Sequence, residues 1–210
     1  MKAGLKIATA ALTLTLFSSS AQATTMIPFH HDGFLLRLST GLGHADSEID
    51  DPVGNGETQL DGTAWDWNVA IGGVVAENLA IHGTFFGWWV DDPDLKITGD
   101  GLSSAGEFQG HLTMSAIGGG ITYWLMPVNI YFSGSFAAAK LYLDDAYSPY
   151  DSDSDTGIAG DFTVGKEWWV GPTWGIGFAG GMSWHSIPDG GISEDWTGQS
   201  FVMRFSSTFN

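Results

Sequence analysis

Large apolar residues recur at every second position through much of this chain, which is the period of a β-strand with two different faces. In Phe201–Asn210 the odd positions are Phe201, Met203, Phe205, Ser207 and Phe209, and the even ones are Val202, Arg204, Ser206, Thr208 and Asn210. The segment from Trp174 sets Trp174, Ile176, Phe178, Met182 and Trp184 on one face. Gly175, Gly177, Ala179, Gly181, Ser183 and His185 fall on the other. Gly33–His44 sets Phe34, Leu36, Leu38 and Leu42 against Leu35, Arg37, Ser39, Gly41 and Gly43. Thr63–Val75 sets Trp65, Trp67, Val69, Ile71 and Val75 against Asp66, Asn68, Ala70 and Gly72. Gly157–Val170 sets Ile158, Phe162, Val164 and Trp168 against Asp161, Thr163 and Gly165. Leu79–Val90, His111–Leu125 and Asn129–Leu143 alternate less cleanly. In His111–Leu125, Leu112 and Met114 are even while Ile117, Ile121 and Tyr123 are odd, with Gly118–Gly120 between them. Such a change of phase predicts a β-bulge. The pattern therefore predicts eight strands.

The breaks between strands come in two kinds. Very short turns are expected near Ala76–Asn78, Met126–Asn129 and Val170–Thr173. Between them fall four acidic stretches, 45–62, 91–110, 144–156 and 187–196, which hold 19 of the chain's 24 Asp and Glu. Long and short connections in strict alternation describe an up-and-down sheet whose two ends face different surroundings. That is the plan of a small transmembrane β-barrel with long external loops and short periplasmic turns.

The small face decides which side meets lipid. A soluble barrel would place its large residues inside and cover its exterior with polar side chains. Here the second face is Gly, Ala and Ser with a few charges, which suits the crowded interior of a narrow barrel. The large apolar face is then the outer wall. Trp124, Trp168, Trp169, Trp174 and Phe209 lie beside the short turns, and Trp65, Trp67, Trp88, Trp89, Trp184 and Trp196 near the acidic stretches. Two aromatic belts are expected at the two membrane interfaces.

Residues 1–23 stand apart. Lys2 and Lys6, an apolar run from Ile7 to Phe17 and a small-residue end closing in Ala21-Gln22-Ala23 describe a secretory signal peptide. The apolar run is too short to cross ~30 Å as a helix. The expected mature chain, 24–210, is one domain carrying five basic and 24 acidic residues, a formal charge of −19. That balance excludes nucleic acid as a partner. With no cysteine in an exported chain, disulfides are excluded too.

Eight alternating strands, the signal peptide and the last strand Phe201–Asn210 resemble the small OmpA/OmpX-type outer-membrane barrels. The resemblance covers nearly all of 24–210 and implies an all-β, eight-stranded antiparallel up-and-down transmembrane barrel in the cell outer membrane. In that family the last strand ends in an aromatic residue read by the barrel-insertion machinery; here Phe209 is penultimate, before Asn210. Outer-membrane lipids and lipopolysaccharide are the implied surroundings.

Three groups of residues carry candidate chemistry. Arg37, Asp66, Asp161, Glu167 and Arg204 fall on the inner face, with His82 as a further member. Buried ions need partners, so an ion-pair cluster filling the lumen is expected, with Glu167 the leading partner for the two arginines. His185 and Ser186 at the outer rim offer a base and a nucleophile. Some lipid A deacylases are eight-stranded barrels using Ser and His, although no further part of their motif is present. Asp144, Asp145, Asp151, Asp153 and Asp155 in one acidic stretch offer oxygen ligands for Ca²⁺ or Mg²⁺. The expected function is a structural or surface-interaction barrel with a filled polar interior. The alternatives are a lipid A-modifying enzyme and a small pore or transporter for hydrophobic compounds.

Overall fold

A computed structural model describes residues 31–50, 56–99, 101–145, 152–189 and 194–210. The expected signal peptide lies outside them. The strands are β1 (Phe34–Asp50), β2 (Glu57–Ala76), β3 (Leu79–Asp91), β4 (Asp94–Gly99), β5 (Leu102–Glu107), β6 (Gly110–Leu125), β7 (Ile130–Asp145), β8 (Ser152–Asp153), β9 (Gly157–Trp169), β10 (Trp174–Pro188) and β11 (Asp195–Phe209). The eight longest, β1, β2, β3, β6, β7, β9, β10 and β11, pair antiparallel in that order, and β11 pairs back onto β1 from Leu36↔Phe209 to Glu48↔Thr197. The sheet is a closed barrel.

Its stagger follows from the register. One row of partners runs Ile130, Lys166, Phe178, Phe205, Thr40, Trp67, Gly87, Ser115 and then Lys140, returning to β7 ten residues further along. An even offset keeps every inward residue inward around the closure, as a barrel requires. The β2–β3 turn is tight, with Asn78 at φ 58°, a left-handed position that Asn tolerates.

Most of the first two acidic stretches, 45–62 and 91–110, is strand and not loop. β2 is 20 residues long, about twice the 9–11 that a tilted strand needs to cross a bilayer. β1 and β2 stay paired up to Asp50↔Glu57. β4 continues the sheet alongside β2 from Glu57↔Thr98 to Asp61↔Asp94, and β5 pairs with β4.

The outer wall is apolar. Leu42, Ile117, Phe178 and Met203 are 65%, 69%, 63% and 77% exposed, and they belong to a continuous band that water would not tolerate. The faces assigned from β1, β2, β9, β10 and β11 hold residue by residue.

Two expectations are corrected. The bulge expected in the fourth strand is absent: β6 keeps one register against both β3 and β7, and its even residues face inward throughout. Leu112 and Met114 are apolar residues pointing into the lumen. The one register shift on β2 and β3 lies at Val74/Ala76. Nor do all tryptophans join the belts, since Trp88 and Trp124 are fully buried inside the barrel.

Candidate functional site

The lumen is filled in three storeys. At the periplasmic end His31, just before β1, is stacked on Trp124 with ring centroids 4.1 Å apart, and meets Trp169 in a tilted contact at 4.9 Å. Its Nε2 meets Asn129 Oδ1 at 2.8 Å, and Asn210 Nδ2 donates to its Nδ1 at 2.6 Å. Asn210 N also bonds Thr173 O. The polar C-terminal residue therefore faces inward and ties the last strand to the chain entering the first.

The middle storey is ionic. The Arg204 guanidinium donates from Nε to Asp66 Oδ1 at 2.5 Å and from Nη2 to Asp66 Oδ2 at 2.8 Å. It also donates from Nη2 to Asp161 Oδ2 at 2.6 Å and from Nη1 to Asp161 Oδ1 at 3.1 Å. Asn68 and Thr163 donate to the same Asp161 oxygen. Both carboxylates are thus bound in fork geometry, which suits a planar guanidinium. Gly181 makes room for it: a Cβ there would lie 2.7 Å from Arg204 Nη1.

The residues expected to cluster are therefore all buried in the lumen, but their pairing differs from the expectation. Asp66 and Asp161 hold Arg204, while Glu167 accepts from Trp124 Nε1 at 3.3 Å and from Thr208 Oγ1. Arg37 donates to hydroxyls, Ser133 Oγ at 2.7 Å and Thr122 Oγ1 at 3.2 Å, and its guanidinium lies 4.7 Å from the Tyr131 ring centre. His82 Nε2 joins the same Thr122 hydroxyl at 3.0 Å. The reason is height along the barrel: Glu167 sits near the β9 end beside Trp124 and Thr208, below the level where Arg204 meets β2 and β9.

The third storey, toward the external mouth, is apolar. Leu60, Phe86, Trp88, Val90, Leu112, Met114, Leu141 and Ile187 are buried together inside the barrel. Above them lies a cavity of about 180 Å3, lined by Leu60, Leu112, Leu141, Leu143 and Trp196, with Ser154 and Asp189 at its polar edge. Trp196 Nε1 points to Asp189 Oδ2 at 3.3 Å, which steadies the indole over the cavity. No residue of this cup was expected from the sequence. Its signal was the lost alternation in strands three to five: Phe85, Phe86, Trp88, Trp89 and Val90 are apolar at both parities because both faces of β3 meet apolar surroundings.

His185 and Ser186 point to opposite faces of β10. His185 is buried and meets Ser47 Oγ at 3.0 Å, beside Trp88. Ser186 is bound to Asp195 Oδ2 at 2.9 Å on the outside. They cannot act as one pair. Of the acidic candidates, Asp151 lies outside the described residues. Asp144 and Asp145 sit opposite His111 and Gly110 in the ladder, Asp153 opposite Tyr142, and the Asp155 amide bonds Pro188 O. Among the described residues no group of three His, Asp or Glu could hold a metal ion.

No protein-family model and no curated protein sequence matches the chain. Solved structures do. Neisserial surface protein A superposes with a TM-score of 0.50 at 13% identity, over 84% of this chain and 96% of that one. The fold is that of the small outer-membrane barrels. The outer membrane protein OprG from Pseudomonas aeruginosa is also similar (TM-score 0.47, 11% identity, 86% of this barrel and 98% of its own chain). So is the outer membrane protein AlkL (0.45, 13%, 93% and 96%). At these identities the likeness speaks for the barrel's fold alone.

Proposed function

We propose that this is a non-conducting surface barrel whose external mouth receives a small apolar group, from a free molecule or from a partner. The observation that carries this reading is the order of the storeys. A leucine- and tryptophan-lined cup lies at the external end, above a buried apolar layer of Phe86, Trp88 and Met114 and, below that, a lumen filled by Arg204, Asp66 and Asp161. A cavity near 150 Å3 lined by apolar side chains stays dry and admits a benzene-sized guest, so about 180 Å3 suits one aromatic ring or a short alkyl chain. The storeys below it offer that guest no onward path, which favours binding over passage.

Methyl NMR tests this. With leucines methyl-labelled and the barrel in nanodiscs, toluene should shift Leu60, Leu112 and Leu141 saturably. Outward Leu38 and Leu42 should respond only in proportion to toluene dissolved in the lipid. Shifts confined to the outward leucines would sink the reading. In planar bilayers the protein should give no steady ion conductance.

A further inference from the structure

The closed wall of the barrel continues upward into an open sheet edge. β4 and β5 rise beyond Trp65 and Trp89, whose ring centroids lie 6.4 Å apart at the upper aromatic boundary. β4 pairs with β2 on one side and with β5 on the other, and among the described residues β5 pairs with nothing else. All of Leu102-Ser103-Ser104-Ala105-Gly106-Glu107 is exposed. Natural edge strands are blunted by Lys, Pro or a bulge. β5 carries no Lys or Pro, and its register with β4 runs unbroken from Asp94↔Glu107 to Gly99↔Leu102. Its outer backbone N–H and C=O groups are therefore placed to pair with a further strand.

The two faces of this edge differ. Residues opposite one another in a ladder share a face. Leu60 is opposite Leu95, which packs against the buried apolar cluster. Ile97 and Leu102 follow on that face, 47% and 79% exposed. On the other face one row of partners crosses four strands: Asp46, Asp61, Asp94 and Glu107. Carboxylates set directly abreast destabilise a ladder. Lys96 is the one Lys or Arg in these strand segments, and it sits level with Gln59 and Ala105, off the row. Glu107 ends the row at the open edge.

We propose that β5 is a docking edge for an extended segment of a partner protein, with apolar side chains beside Ile97 and Leu102 and a Lys or Arg beside Glu107. Successive side chains of a strand point to opposite faces, so the segment recognised is one in which apolar and basic residues alternate. Charge complementarity selects this occupant. A cation abreast of Glu107 offsets the repulsion along the row, whereas a second copy of the chain brings the same acids again. Pairing at β5 does not require a guest in the cup.

Hydrogen exchange of the barrel in nanodiscs, read amide by amide by NMR, tests this. The probe is a short synthetic peptide of alternating Val and Lys, and its control alternates Val and Glu. At a concentration about ten times its Kd, the Val/Lys peptide should slow exchange about tenfold at alternate β5 amides, the two-residue period of an added strand. The Val/Glu peptide should leave them unchanged. Glu107→Lys, at an exposed position, should keep the unheated gel mobility of wild type and weaken the Val/Lys peptide about fivefold. Slow exchange at every β5 amide of the dilute barrel alone would show the edge covered by its own chain, and protection that grows with barrel concentration would show a second copy there; either overturns the proposal. So would no binding of the Val/Lys peptide, binding without alternate protection on β5, equal protection by the two peptides, or unchanged affinity in Glu107→Lys.

Discussion

Arg204 and Asp66 face each other across the intervening strand β1, joined by two hydrogen bonds of 2.5 and 2.8 Å inside the barrel. This pair, completed by Asp161, fastens the closing strand to β2 and β9 at once. Replacing Arg204 by Ala leaves two buried carboxylates without their cation. Losing one partner of a buried pair costs about 3–5 kcal/mol. Urea unfolding in lipid vesicles should show a drop of that order, and gel mobility of the unheated protein should shift toward the unfolded position. Arg204→Lys should recover only part, since an ammonium cannot bind both carboxylates in a fork.

The cup should be separable from the barrel. Leu141→Trp places a large ring in the cavity and should abolish the toluene response of Leu60 and Leu112. Overpacking of this kind costs about 1–3 kcal/mol, so the variant should still fold, as its unheated gel mobility would confirm.

His31 makes the periplasmic closure sensitive to pH. Burial holds its pKa below the usual histidine value, against the opposing pull of the Asn129 bond and the Glu167 charge. The folded state therefore favours the neutral ring, which also lets Nδ1 accept from Asn210. Stability from this contact is present above the unfolded-state pKa, about 6.5, and is lost as pH falls below it. His31→Ala should flatten the acid limb of a stability–pH curve below about pH 6.5.

The external rim should respond in the opposite sense. Burial, together with repulsion from Glu57, Asp46 and Asp50, raises the Glu48 carboxyl above its ordinary value. A carboxyl raised on folding is strained in its charged form, so local stability improves as pH falls toward the ordinary Glu range near 4.3. Glu48→Gln should slow hydrogen exchange of the β1 amides near Asp50 at neutral pH, and 0.5 M salt should narrow the difference from wild type.

The barrel was legible in the sequence because lipid outside and small residues inside impose a strict two-residue period wherever the lumen is narrow and polar. Arg37, Asp66, Asp161, Glu167 and Arg204 announced themselves by parity alone. Their partners did not, because pairing across a staggered barrel depends on the ten-residue offset, which no single strand reveals. The cup was hidden by the same rule read too strictly. Trp88, Leu112 and Leu141 are large and apolar, yet they point inward, because the lumen changes character halfway up. His31 and Asn210 carried no periodic signal; their meeting depends on the first and last strands closing the same ring.

The long reach of β1 and β2 has one more consequence. Because Asp50 and Glu57 are still partners in the ladder, much of the negative charge beyond the membrane is carried on a hydrogen-bonded collar and not on free chain. A cation or basic partner arriving there meets carboxylates already fixed in position. Little conformational entropy would remain to be lost on such a contact, unlike one made by a flexible acidic loop.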